Sequence, residues 1–324
     1  MRNRASRTAD RRRCFTGENH QLAYSGLRLG QPPIPPASTF EQQKFEADVF
    51  GTILTSHNRF TEFPFGIRSV RPRPTSLEVE VEVESRGKTL LIALLPDYEV
   101  DTAEVAGMPG LRIRQITERG LELHLAGRRT SLWLTGMPRS AWRRIAKDRA
   151  AQSVPGWRQL WRETEAWAAE ETAYDAQWNT DQWSKGFYDG AWCASAFLRR
   201  IAVLRNAAPI YAVSGWQGLG TDPVRWCMEI DFRPGTPQYR DQLVAALMDP
   251  VFGLPVAPDL GASGGPLPAH MMRFADAGRT ALIELRFSSG MFRSYGKEHP
   301  DLHARIEDRI ERILARHEAR YRAM

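Results

Sequence analysis

The sequence predicts an α+β fold, and three observations carry that prediction. Apolar and acidic residues alternate strictly from Leu77 to Glu84, as they do on a half-buried strand. Short apolar runs separated by turn residues follow between Leu111 and Leu134, and helical spacing of apolar residues marks Thr39–Thr55 and Pro300–Arg322. The predicted architecture is an N-terminal antiparallel β-sheet or small barrel, a Trp-rich helical middle, and a C-terminal α/β layer ending in an amphipathic helix.

At 324 residues the chain exceeds the ~250–300 at which single cores stop growing, so two cores are expected. A hydrophobic share of 42% and a charged share of 25% are those of an ordinary folded body, which argues against disorder. Residues 1–38 are the exception. They combine an Arg-rich start with the run Pro32, Pro33, Ile34, Pro35, Pro36 and no sustained periodicity, and they read as a basic, flexible arm.

The β-rich domain is expected over 39–137. Thr39 caps its first helix, and Leu77–Glu84 pairs with the apolar run Thr89–Leu95 across a turn at Ser85–Lys88. Leu111–Ile116, Leu121–Leu125 and Thr130–Leu134 supply three more strands. A helical, Trp-rich region over 138–206 follows, with helices from Ser140 to Ala150, from Gly156 to about Ala173, and a third ending near Asn206. The C-terminal α+β domain, 207–324, reads as strands at Ile210–Gly215, Val224–Phe232 and Thr280–Phe287 with helices at Gln238–Met248 and Pro300–Arg322. The glycine-rich stretch Leu254–Pro268 reads as a mobile loop, Gly215–Gly220 as a hairpin loop, and no internal repeat is evident.

No apolar run approaches the ~18–20 residues that cross a bilayer, so no membrane span is expected. Arg12, Arg13, Cys14, Phe15 resembles a twin-arginine export signal, but the polar Thr16–Gln21 stands where such a signal is apolar. Cys14, Cys193 and Cys227 are too few and too widely spaced for a disulfide framework. A reducing, cytoplasmic setting follows.

The net charge of +6 is uneven. Arg2, Arg4, Arg7, Arg11, Arg12 and Arg13 against Asp10 and Glu18 give +4 in the first 20 residues, leaving +2 for the rest. Arginines neutralise phosphates and aromatics stack on bases, so these six arginines, with Trp178 and Trp183 as stacking platforms, point to a nucleic-acid-associated binding or assembly subunit. That reading needs no cofactor. Most of the ten tryptophans are expected in the core or at a subunit contact, which leaves a protein-binding scaffold or inhibitor as a further reading.

The catalytic alternative rests on Glu229 and Asp231, two apart on one strand and therefore on one face, where both carboxylates suit Mg²⁺ in a nuclease or nucleotidyl-transfer site. Arg225 and Arg233 alternate on that same face, so neutralisation by neighbouring charges accounts for the two acids without a metal. The order Asp97, Glu122, His124 is similar to the Asp, Glu, Lys order of restriction-endonuclease-like nucleases, with histidine in the lysine's place. A turn aspartate beside an amphipathic strand explains the same residues. The spacing of Arg312 and His317 is similar to that of some metal-independent ribonucleases that dimerise through helical bundles, and it equally fits a solvated helix face. The common phosphate-loop, hydrolase and kinase motifs do not occur.

Overall fold

A computed structural model describes residues 4–56, 63–152, 154–162, 166–178, 181–206, 210–218, 224–232, 239–259 and 271–288, and positions 300, 301, 304, 305, 307, 308, 311, 312 and 315. In order the elements are α1 (Arg4–Thr16), α2 (His20–Ser25), α3 (Phe40–Ser56), β1 (Ile67–Arg73), β2 (Ser76–Val81), α4 (Glu84–Leu94), β3 (Asp97–Glu99), β4 (Glu104–Ala106), β5 (Leu111–Thr117), β6 (Gly120–Leu125), β7 (Leu132–Thr135) and α5 (Arg139–Ala151). They continue with β8 (Trp157–Gln159), α6 (Ala169–Trp178), α7 (Asp181–Leu198), α8 (Val203–Asn206), β9 (Ile210–Gly218), β10 (Val224–Phe232), α9 (Tyr239–Leu247), β11 (Ala257–Pro258), β12 (Met271–Ala275) and β13 (Ala281–Ser288). The α+β class holds.

Two five-stranded sheets are built on one plan. The first has the order β1-β2-β7-β6-β5, and the second β9-β10-β13-β12-β11. In each, a leading hairpin (β1 with β2, β9 with β10) is joined by one parallel pairing (β2 with β7, β10 with β13) to an antiparallel meander. The helices recur in step: α3 precedes the first hairpin and α7 the second, α4 and α9 follow the hairpins, and α5 follows the first meander as helical backbone at the described positions 300–315 follows the second. A repeat invisible as sequence is therefore present as connectivity. Among the described residues neither sheet closes into a barrel, and both are mixed: the parallel pairing of β2 with β7 corrects the antiparallel sheet or small barrel expected at the N-terminal end, and β10 with β13 gives the C-terminal layer the same feature.

The two leading helices pack along each other. Phe45, Val49, Phe50, Ile53 and Leu54 of α3 are buried, and Phe50 meets Phe197 of α7 at 5.5 Å and Trp226 of β10 at 5.8 Å between ring centroids. Buried apolar residues from both sheets and these helices join in one continuous cluster. The expected cap is present: Thr39 Oγ1 accepts the Gln42 N–H at 3.2 Å.

Four expectations are corrected. The stretch Thr89–Leu95 is not a strand but the end of α4, where Leu90, Leu91 and Leu94 bury one helical face. A short apolar run rich in leucine satisfies either period, and leucine favours the helix. The partner of β2 is instead β1, in which Pro72 is tolerated because β1 is an edge strand and one face of its backbone needs no ladder donor. No helix runs from Gly156 to Ala173: Trp157 lies on β8, which joins β3 and β4 in a small third sheet, and α6 begins only at Ala169.

The fourth correction concerns the arm. Its described part folds as α1 and α2 and is tied down by buried charge. Arg12 donates Nε to Glu18 Oε2 at 2.7 Å and Nη1 to the Pro33 carbonyl at 2.7 Å. Phe15 stacks on Phe252 at 5.6 Å. The Pro-rich stretch forms no ladder of its own, so its carbonyls find guanidinium donors: Pro33 takes Arg12 and Pro35 takes Arg199. Of the two glycine-rich loops, residues 219–223 and 260–270 lie outside the described residues, while Gly215 and Gly218 belong to β9.

Candidate nucleic-acid interface

Helix α1 packs Ala9, Arg12, Phe15 and Thr16 inward, half-buries Ala5, Ser6, Thr8 and Asp10, and exposes Arg4, Arg7, Arg11, Arg13 and Cys14. Arg4, Arg7 and Arg11 fall at i, i+3 and i+7, on one outward stripe. At 1.5 Å rise per residue the stripe is about 10 Å long. Arg4 and Arg7 are exposed and have no carboxylate partner among the described residues. Arg11 pairs with Asp249, yet its side chain stays 56% exposed.

The other predicted arginines divide. Arg12 is fully buried on Glu18 and is withdrawn from any surface contact, because a buried guanidinium is held by the carboxylate that neutralises it. Arg13 lies 3.6 Å from Asp10 and donates to the Glu18 carbonyl. Arg2 lies outside the described residues. Trp178 ends α6 and Trp183 belongs to α7, but both side chains lie outside the described residues.

Glu229 and Asp231 do share a face of β10. Register places Glu229 beside Arg286 and Asp231 beside Ser288 on the parallel neighbour β13. Asp231 is fully buried and Glu229 half-buried. The same face holds Glu284, wholly buried, accepting from Arg273 Nε at 2.8 Å and from Arg286 Nε at 2.7 Å, with Arg225 at 3.7 Å. Burial raises the Glu284 carboxyl, but the two guanidinium hydrogen bonds outweigh it and hold the group below the usual carboxylate range. Neutralisation between neighbouring strands is thus present on this face at Glu284. Among the described residues no three His, Cys, Asp or Glu side chains are grouped to hold a metal ion.

The nuclease-like order is not assembled either. Asp97 sits in the small third sheet and pairs with Arg149, whereas Glu122 lies in the first sheet and accepts from Arg114, Gln115 and Ser131 at 2.7–3.0 Å. His124 is buried on β6 opposite Arg112. Arg312 pairs with Asp308 one turn earlier, and His317 lies outside the described residues.

The acidic ridge of β2 carries its own counter-ions. Glu78 takes Arg119 at 2.6 Å, Arg73 at 2.9 Å and Arg71 at 4.0 Å, and Glu80 accepts from Ser69 at 2.6 Å. It is a paired surface and not a bare negative one.

Sequence reasoning missed a second basic helix. Both α1 and α5 are 13 residues long, and each carries five basic residues against one acidic residue. Each helix contributes +4, so the two supply +8 and the remainder of the chain carries 6 − 8 = −2. The signal was legible in Arg139, Arg143, Arg144, Lys147 and Arg149, but a charge sum of only +2 over all residues beyond the first 20 conceals a local excess. Among the described residues no helix is long and apolar enough to cross a membrane. Comparison with protein-family models, curated proteins and solved structures finds no match to this chain.

Proposed function

We propose that this protein binds nucleic acid, as a binding or assembly subunit, through the outward stripe of α1. The observation that carries the reading is that Arg4 and Arg7 stand exposed, one turn apart, without a carboxylate partner among the described residues, while Arg11 extends the same stripe. A guanidinium matches the phosphate group in charge and in its planar pair of donors, and arginine is the only cation α1 uses. The packed base of the helix supports the role, since a contact set held on a rigid element loses less entropy on binding than a mobile arm. Free, buried Cys193 and Cys227 support a reducing, cytoplasmic setting.

The test is fluorescence anisotropy with labelled single- and double-stranded oligonucleotides across a salt series. Replacing Arg4 and Arg7 together by alanine is expected to weaken binding and to flatten the log K against log [salt] slope by about 1.4–1.8, from ~0.7–0.9 per phosphate contact. An unchanged slope and affinity, or no binding by the intact chain at low salt, overturns the reading.

A further inference from the structure

We infer that helix α5 is a second phosphate contact, so that one nucleic-acid chain bridges α1 and α5; the inference rests on the nucleic-acid reading of α1. The charge distribution motivates it. With +8 on two 13-residue helices and −2 on everything else, the protein's positive field has two sources, and α5 is the equal of α1.

Pairing leaves the two helices alike. On α5, Arg149 is consumed by Asp97, Arg144 by Glu84 at 2.6 Å and Arg139 by Glu118 at 3.5 Å. That leaves Arg143 and Lys147, one turn apart, exposed and without a carboxylate partner among the described residues. On α1 the corresponding remainder is Arg4 and Arg7. The inward face of α5, with Ala141, Trp142, Ile145 and Arg149 buried, fixes this orientation just as Phe15 and Arg12 fix that of α1.

Their placement indicates the size of the partner. Helix α1 packs against β1 and α5 against β5 and β6, at opposite edges of the first sheet. Three to four strand spacings of ~4.8 Å separate β1 from the β6–β5 pair under α5, so a ligand reaching both helices spans about 15–20 Å. A mononucleotide is too short; a strand or duplex segment of about six base steps is long enough, at ~3.4 Å per step. A membrane surface is the poorer match, because neither helix exposes a large apolar side chain to enter the headgroup region. Nine of the ten basic residues in the two helices are arginine, which favours phosphate oxygens over a diffuse negative surface.

The experiment compares three forms of the full chain on one 20-nucleotide probe over a salt series: wild type, Arg4→Ala with Arg7→Ala, and Arg143→Ala with Lys147→Ala. Each double variant is expected to flatten the salt slope by about 1.4–1.8, and each is expected to keep the wild-type circular dichroism and melting temperature. If the α5 variant binds like wild type while the α1 variant is weakened, the bridging inference falls and the α1 reading stands. Loss confined to the α5 variant overturns the α1 reading and the bridge with it, leaving α5 alone as the phosphate contact, and two silent variants overturn the role of both helices. Two controls guard the assignment. Arg129→Ala, an exposed cation on the turn between β6 and β7, should leave the slope unchanged; an equal loss there rejects a specific role for α5. ATP, polyglutamate and anionic vesicles at matched charge should compete at least tenfold more weakly than the oligonucleotide, and equal competition by any of them rejects a bridging nucleic acid.

Discussion

Arg199, just past the end of α7, closes on Glu46 of α3 with Nη2 to Oε1 at 2.6 Å and Nε to Oε2 at 2.7 Å, both side chains wholly buried. Ser195 adds a hydrogen bond to Glu46 at 2.7 Å, and the remaining Arg199 donors reach the Pro35 and Arg73 carbonyls. One guanidinium thereby joins the leading helices of the two repeated units, the Pro-rich stretch and the edge strand β1. Removing one partner strands a charge in the core. Glu46→Ala is expected to cost about 3–5 kcal/mol in urea unfolding, against at most about 1 kcal/mol for Glu84→Ala, whose partner Arg144 is exposed. Equal costs would contradict the assignment of Glu46 as a staple.

Arginines on α1 should separate by role. Arg12→Ala leaves Glu18 buried without its cation and is expected to lower stability by about 3 kcal/mol. Arg4→Ala and Arg7→Ala should stay within about 0.5 kcal/mol, as surface positions do. Thermal melts of the three single variants check this, and a stable Arg12 variant would show that the segment is not held by that pair.

Stability should carry a signature of Asp48. Burial pushes its carboxyl from 3.8 up to about 6, with Lys44 at 3.4 Å pulling it back. The folded form prefers the protonated group, so the contribution is fully present below pH 4 and is lost as pH rises through 6. A two-unit shift corresponds to at most about 3 kcal/mol. Asp48→Asn is therefore expected to match wild type near pH 4 and to exceed it by about 1–3 kcal/mol at pH 8. Parallel stability curves for the two proteins from pH 4 to 8 would show that Asp48 is not responsible.

Thiol chemistry should distinguish the three cysteines. Cys14 is exposed on α1, whereas burial raises the thiol of Cys193 and pushes that of Cys227 up to about 11. One thiol is expected to react with an aromatic disulfide reagent in the native protein at pH 8 and three after unfolding. Native reaction of Cys193 would mean that α7 opens readily from the core.

Much of the fold was legible locally. Alternation in Leu77–Val81 and the spacing of Phe45, Val49 and Ile53 are written in neighbours two to four residues apart, and the structure keeps both as β2 and α3. Thr39 and the strand Val224–Phe232 are likewise where periodicity and capping chemistry put them. The apolar run Thr89–Leu95 was ambiguous for the same local reason, since its few residues satisfy two periods at once.

The amino-acid sequence by itself determined the α+β class, the amphipathic elements and the presence of a concentrated basic amino end. Only tertiary structure decided which strand pairs with which, that the chain traces the same plan twice, and which arginines remain on the surface. The physical reason is range. A side chain's period is set by its neighbours, but the partner that buries or neutralises it lies far along the chain, as Glu46 lies 153 residues from Arg199 and Arg112 lies 59 from Glu171. Arg12 and Arg4 are chemically identical in the sequence, and Glu18 with the Pro33 carbonyl makes one of them core while the other stays exposed.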